Sequence, residues 1–161
     1  MTNQHDIEKA IELFKKAYKL QITGFLEDAI THYKKSLEIY PTSEARTFLG
    51  WTYSFMGWYE KAIEECHKAI EIDPDFGNPY NDIGAYYIEL KRYEDAIPWL
   101  LKAKEAKRYE SPQYPSFNLG RVYERLGRWL EAIREYEEAI ELVPDYKLAY
   151  QALTRLQAAM N

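Results

Sequence analysis

Several things are scarce in this 161-residue chain, and each scarcity closes off a class of function. There is one cysteine, Cys66, so an internal disulfide is excluded and a cysteine-rich metal knuckle with it. There are three histidines, His5, His32 and His67, spread over a tail and two separate helical stretches, and neither CxxC nor HExxH spacing occurs. The sequence therefore predicts no metal site and no cofactor. No glycine-rich loop follows a strand-like run, so no phosphate cradle is signalled. Positive charge is not in excess: the formal net charge is -5 and the pI about 5.3, which argues against nucleic acid as a partner. Eighteen consecutive apolar residues occur nowhere, and Met1 to Ala10 lacks a basic start leading into an apolar run. Neither membrane insertion nor export is expected, and a cytoplasmic location is the default.

The glycines are few and ordered. Of seven, three (Gly24, Gly57, Gly127) stand at turns, and three (Gly50, Gly84, Gly120) fall inside helix-like segments. A glycine inside a helix costs about 1 kcal/mol relative to alanine, so the second set points to close approach of a neighbouring helix. An AI pair opens four later segments at Ala29, Ala62, Ala96 and Ala132, spaced 33, 34 and 36 residues apart (62 − 29, 96 − 62, 132 − 96). A period of that length indicates stacked units of one supersecondary structure.

Within the unit, Leu49, Gly50 and Tyr53, then Gly57, Ala62, Ala69 and Pro74, return as Ile83, Gly84, Tyr87, Ala96 and Ala103. They return again as Leu119, Gly120, Tyr123, Gly127, Ala132, Ala139 and Pro144. Leu13, Ala17, Leu20, Gly24, Ala29, Tyr33 and Pro41 form a weaker first copy. This pattern resembles the tetratricopeptide repeat family and covers nearly the whole chain. The resemblance implies an all-α, right-handed superhelical solenoid of helix-turn-helix repeats. Four repeats would lie at about 10–42, 43–76, 77–112 and 113–146, in a single array closed by a capping helix at about 147–160.

Asp6 stands as the expected N-cap of the first helix. Pro79 and Pro115 fit first helical turns, whereas Pro98 removes an internal backbone bond and predicts a bend. The third unit ends in Arg108 instead of proline, carries Lys104 where the other units have Leu37, Ile70 or Ile140, and adds two residues between Tyr109 and Pro112. That junction is expected to be the least regular and the least packed. In the last helix Tyr150, Leu153 and Leu156 are expected to face the fourth unit, leaving Leu148, Ala158, Ala159 and Met160 as apolar surface.

The candidate binding surface is the inner stripe of each unit's first helix. In the first unit it carries Phe14 and Tyr18, and in the second Thr47, Trp51 and Phe55 at i, i+4 and i+8, one helix face. The third contributes Asn78 and Asn81, and the fourth Tyr114, Phe117, Asn118, Arg121 and Arg125. Leu49, Tyr53, Cys66 and Ile70 already supply a core stripe, which leaves Trp51, Phe55, Phe14 and Tyr18 for an exposed aromatic cluster of the kind that marks interaction sites. Asn81 and Asn118 are candidates to hydrogen-bond a peptide backbone.

The family resemblance implies a non-catalytic scaffold whose concave face holds a peptide or helix of a partner protein. One branch of the family clamps acidic chaperone tails with two lysines, two asparagines and an arginine. The matching places here hold Phe14, Tyr18, Phe48, Asn78 and Asp82 or, one unit on, Thr47, Trp51, Asp82, Tyr114 and Asn118, so that clamp is not expected. A self-assembling, homo-oligomeric structural protein is the alternative. An RNA-reading helical repeat is disfavoured by Glu44, Asp82, Glu89 and Glu124 along the groove.

Overall fold

The computed structural model describes residues 3–161, which form nine helices in chain order. They are α1 (Gln4–Ile22), α2 (Leu26–Ile39), α3 (Ser43–Phe55), α4 (Tyr59–Ile72), α5 (Asn78–Glu89), α6 (Tyr93–Glu105), α7 (Gln113–Arg125), α8 (Trp129–Leu142) and α9 (Lys147–Met160). Each odd helix from α1 to α7 packs on the even helix that follows it, each pair packs on the next, and α9 packs on α8. The first helices also touch in succession, α1 with α3, α3 with α5 and α5 with α7, so they lie side by side as one continuous face. This is an all-α helical repeat solenoid.

The turn within each unit is one motif used four times. The chain passes through a left-handed residue, and the next N–H reaches back to a carbonyl in the last turn of the first helix, which satisfies an otherwise orphaned acceptor. Gly24, Gly57 and Gly127 take φ of +89°, +77° and +73°. The N–H groups of Phe25, Trp58 and Arg128 then donate to the carbonyls of Leu20, Tyr53 and Tyr123 at 2.9, 3.0 and 2.8 Å. In the third unit Arg92 N–H donates to Tyr87 O at 2.8 Å, but the left-handed residue is Lys91, φ +60°. The turn survives there without its glycine.

The three helical glycines are packing residues, as their spacing indicates. A Cβ built on Gly84 would lie 2.4 Å from Leu100 Cδ2, one on Gly120 would lie 2.4 Å from Tyr136 Cε1, and one on Gly50 would lie 2.9 Å from the Ala62 carbonyl oxygen. What fills the notch in the third and fourth units is a large side chain one turn beyond the AI alanine, not a facing small residue. Leu100 and Tyr136 are both fully buried. Two buried clusters result. One runs from Ala17, Tyr33 and Leu49 to Ile83 and Tyr86, and the other from Ile88 and Leu100 to Tyr136 and Leu156; Tyr87 packs against both.

The N-cap of the first helix and the inward face of the last differ from those expected. The N-cap of α1 is Asn3, whose side chain accepts from Asp6 N–H at 2.8 Å; Asp6 itself lies in the first turn, where its charge favours the helix N-terminus. Helix α6 continues through Pro98, whose side chain is exposed. In α9 the buried positions are Ala149, Ala152 and Leu156, and Tyr150 points away from the fourth unit.

The junction after the third unit is irregular but tightly tied, contrary to the reading of its added residues as poorly packed. Arg108 N–H donates to Asp75 O at 3.0 Å and Arg108 O accepts from Gly77 N–H at 2.9 Å. The Arg108 guanidinium holds Glu44 at 3.0 Å and Asp73 at 2.5 Å, and it covers the Phe76 ring. Gly77, the seventh glycine, explains itself here: a Cβ on it would fall 2.6 Å from Tyr109 Cβ. Lys104, anomalous in the sequence, reaches Glu135 at 3.1 Å and Glu138 at 2.8 Å on α8.

Candidate functional site

The side-by-side face of α1, α3, α5 and α7 carries a connected strip of aromatic rings. Phe14 meets Phe48 edge-on with centroids 5.4 Å apart, Tyr18 meets the same ring at 5.5 Å, Phe48 meets Trp51 at 5.7 Å, and Trp51 meets Phe55 at 5.2 Å. Phe14 is half-buried and also packs on the core ring of Tyr33 at 5.6 Å. Tyr18, Trp51 and Phe55 keep 40, 37 and 56% of their surface exposed. The ring that joins them, Phe48, was absent from the sequence-derived candidates. Its position three residues before Trp51 and seven before Phe55 places it on their helix face.

Beside the strip lies a pocket of about 410 Å³ between α3, α5 and the chain entering α7. Thr47, Phe48 and Trp51 form one side, Asn78, Asn81 and Asp82 another, and Tyr109, Ser111 and Tyr114 the third. Four expected residues of two stripes, Thr47, Trp51, Asn78 and Asn81, thus meet at one site with Tyr114. The Thr47 hydroxyl is committed, donating to Ser43 O at 2.8 Å. Asn118 is buried beside the pocket, and its Nδ2 donates to Asn81 Oδ1 at 3.0 Å while its own Oδ1 accepts from Arg121 Nη1 at 3.2 Å. The two asparagines therefore hold each other across α5 and α7.

Besides Phe48, the pocket residues outside the candidate set are Tyr109, Ser111 and Asp82, the last expected along the groove only as a negative charge. Burial raises the Asp82 carboxyl to about 7, with a hydrogen bond from Asn81 partly offsetting the effect. Burial also pushes the neighbouring Tyr86 and Tyr109 hydroxyls up, and the Cys66 thiol well above its ordinary value. Cys66, wholly buried, is a packing residue kept in the neutral thiol form.

A larger cleft of about 800 Å³ opens further along, where α5, α7, α8 and α9 approach. Phe117, Arg121 and Arg125 line it together with Glu89, Glu124 and Arg155. Its charges are mostly spent on each other. Arg121 lies 3.7 Å from Glu89, Arg155 pairs with Glu124, and Tyr136 OH donates to Glu124 Oε2 at 2.8 Å. Arg125 makes no ion pair among the described residues. Phe117 is partly covered, its ring 5.3 Å from Tyr146, which Tyr114 also touches at 6.0 Å. Among the described residues no cluster of three His, Cys, Asp or Glu side chains could hold a metal ion, and no helix is long and apolar enough to cross a membrane.

Comparison with known proteins decides the family. Sequence models described as tetratricopeptide repeat match residues 43–76 and 75–145, which together span more than half the chain. This chain belongs to the tetratricopeptide repeat family. Among curated tetratricopeptide repeat relatives, type IV pilus assembly protein PilF of Pseudomonas aeruginosa is 30% identical over 120 residues, 74% of this chain and 48% of PilF. The TPR repeat-containing protein YpiA of Bacillus subtilis is 28% identical over 138 residues, 85% of this chain and 32% of YpiA. Superkiller complex protein 3 of Mus musculus is 28% identical over 97 residues, 60% of this chain and 6% of that protein. The array thus spans less than half the length of each of these relatives.

Solved structures agree on the fold. A crystal structure of MamA superposes with a TM-score of 0.76 at 27% identity, covering 92% of this chain and 81% of that one. Pseudomonas aeruginosa PilF superposes with a TM-score of 0.91 at 23% identity, covering 98 and 71%. The first TPR of Spaghetti (RPAP3) bound to the HSP90 peptide SRMEEVD gives 0.69 at 24% identity, covering 74 and 93%.

Proposed function

We propose that residues 1–161 act as one non-catalytic scaffold that binds a peptide or helix of a partner protein along the α1–α3–α5–α7 face. The observation that carries this reading is the ring strip Tyr18–Phe48–Trp51–Phe55. Its half-exposed rings run directly into the pocket beside Asn78 and Asn81. Contiguous aromatic surface bordered by polar groups is the composition of an interaction site, and tryptophan and tyrosine are over-represented among its energetic anchors. That the RPAP3 repeat carries a bound peptide supports the same use of the fold. The partner here differs from an acidic chaperone tail, because Phe14, Tyr18, Phe48, Asn78 and Asp82 occupy the places of the clamp's lysines, asparagines and arginine. Arg125, without an ion pair among the described residues, is the residue offered to a ligand carboxylate at the far end, with Arg121 beside it. We place the protein in the cytoplasm, with no nucleic acid or membrane partner.

The test is selection of binders from a random displayed-peptide library on the wild-type protein, followed by Phe55→Ala and Trp51→Ala. Phe55 is the cleaner variant because more of it is exposed. Selected peptides should lose about tenfold or more in affinity against either variant while the fold is retained. Enrichment that is indifferent to both substitutions, or no enrichment at all, would remove the groove reading. Sedimentation across a concentration series tests the alternative, a homo-oligomer, which predicts mass growing with concentration.

A further inference from the structure

The pocket between α3, α5 and the 109–114 connection has a charge that the chain leaves unanswered. Of the four carboxylates expected along the groove, three have a cation of their own. Glu44 is held by Arg108 at 3.0 Å, Glu124 by Arg155, and Glu89 lies 3.7 Å from Arg121. Asp82 has no ion pair among the described residues. The groups facing it are neutral at ordinary pH: Cys66 from α4, Tyr86 from α5 itself, and Tyr109 from the connection. Helix α3 presents Thr47, Phe48 and Trp51, and α7 presents Tyr114. The guanidinium of Arg46 on α3 is already taken by Glu65 at 2.8 Å, and that of Arg121 reaches Asp82's neighbourhood only through the two amides of Asn118 and Asn81.

Resting on the groove reading above, we propose that this pocket is a socket for the positively charged side chain, lysine or arginine, of the bound partner segment. Phe48, Trp51, Tyr109 and Tyr114 supply aromatic rings around the stem and charge, and Asp82 supplies the counter-ion. A cation among ring faces gains from their quadrupoles, more so once water is excluded, and a half-buried carboxylate without a partner gains most from an incoming one. Asn78 and Ser111 at the wall offer hydrogen-bond groups to the ammonium or guanidinium, while Asn81 is fixed by Asn118 and holds the carboxylate side of the pocket. A volume of about 410 Å³ is roughly fourteen water volumes at about 30 Å³ each, enough for a long side chain. The groove then reads from aromatic (Tyr18, Phe55) through a cation socket at Asp82 to Arg125.

Because Asp82 titrates near neutrality in the free protein, a cation entering the socket must displace a proton below that pH. Affinity for a basic ligand therefore rises as pH rises from 6 to 8 and then levels. The experiment uses a peptide taken from the displayed-library selection at pH 8, with its basic residue replaced by norleucine (for lysine) or citrulline (for arginine). Binding is measured at pH 6 and 8 to wild type and to Asp82→Asn, and the Asp82 carboxyl is followed by NMR with and without peptide. We expect a basic residue at one fixed position and at least a tenfold loss on neutralising it in wild type, with little loss in Asp82→Asn. Wild-type affinity should be higher at pH 8 and that of the variant flat, and the Asp82 titration should move down by at least one unit on binding. Peptides that depend on Trp51 or Phe55 but carry no basic residue overturn the socket and leave the groove intact. So do equal losses in both proteins, or tighter binding at pH 6. A selection that yields no binder overturns both.

Discussion

Gly84 offers a test in which the packing argument predicts a change of sign. Taken as an isolated helical residue, Gly84→Ala should stabilise by about 1 kcal/mol, since alanine is the better helix former. The built Cβ, however, would stand 2.4 Å from Leu100 Cδ2 and 2.5 Å from Leu100 Cγ, against the roughly 3.5–4.0 Å of a good carbon contact. Leu100 has no exposed surface through which to retreat, so it must move by about 1 Å into filled space. Overpacking of this kind costs about 1–3 kcal/mol, and at the upper end the net effect is a destabilisation of about 2 kcal/mol. At a typical slope of about 2 kcal/mol/M that lowers the urea midpoint by about 1 M. In a Leu100→Ala background, already destabilised by about 2–5 kcal/mol, the obstructing atoms are gone. There the same Gly84→Ala change should be stabilising by about 1 kcal/mol, giving a coupling near 3 kcal/mol between the two sites. Urea melts followed by helical circular dichroism on the four proteins of the cycle measure it. If Gly84→Ala stabilises the wild type, or shifts both backgrounds equally, the glycine is not there to admit Leu100.

Three further outcomes are expected. Lys91→Gly should raise the urea midpoint by an amount corresponding to about 1 kcal/mol, because a residue with a Cβ is held at φ +60°, while Gly57→Ala should lower it by about 1–2 kcal/mol at φ +77°; equal and negligible shifts would contradict the shared turn motif. The amides of Gly77 and Arg108, bonded across the junction at 2.9 and 3.0 Å, should exchange hydrogen more slowly than those of Gly57 and Gly127, and the reverse order would show the junction to be loose. Asp82→Asn should stabilise at pH 8 and have little effect at pH 4. The folded state holds the Asp82 proton up to about 7 while the unfolded chain releases it near the ordinary carboxylate value, so stability is lost progressively as pH rises between those two values and the full cost stands above about 7; a variant less stable than wild type at pH 8 would refute the unpaired carboxylate.

The fold was largely legible because its determinants are local and recur. Four AI pairs mark the same place in each unit, turn glycines and helical glycines mark theirs in three units of the four, and each has one structural use. What escaped notice came from outside the period. Leu100 and Tyr136 fill the glycine notches, but residue type at that position varies from Tyr33 and Cys66 to these two, and periodic matching looks for sameness. Phe48 was overshadowed by Leu49 beside it, although its helix angle matches Trp51. Arg108 and Tyr109 read as damage to the repeat because their partners lie some thirty or more residues away, Glu44 and Asp73 in the preceding unit and Gly77 at the far end of their own. Asp82 counted in the sequence only as negative charge against RNA. Its distinction, that Glu44, Glu89 and Glu124 are paired and it is not, exists only once the helices are side by side.

The tie at Arg108 has a mechanical meaning. A solenoid behaves as a spring whose compliance concentrates at its softest joint, and here the longest connection, the one most apt to be soft, is bolted to the connection one unit earlier. Pulling the second and third units apart would load a backbone hydrogen bond, Arg108 N–H to Asp75 O, and two ion pairs in parallel. The backbone bond is nearly indifferent to ionic strength, whereas the exposed ion pairs are screened by it. Salt thus becomes a control on the spring constant at the centre of the array, stiff when dilute and more yielding when concentrated.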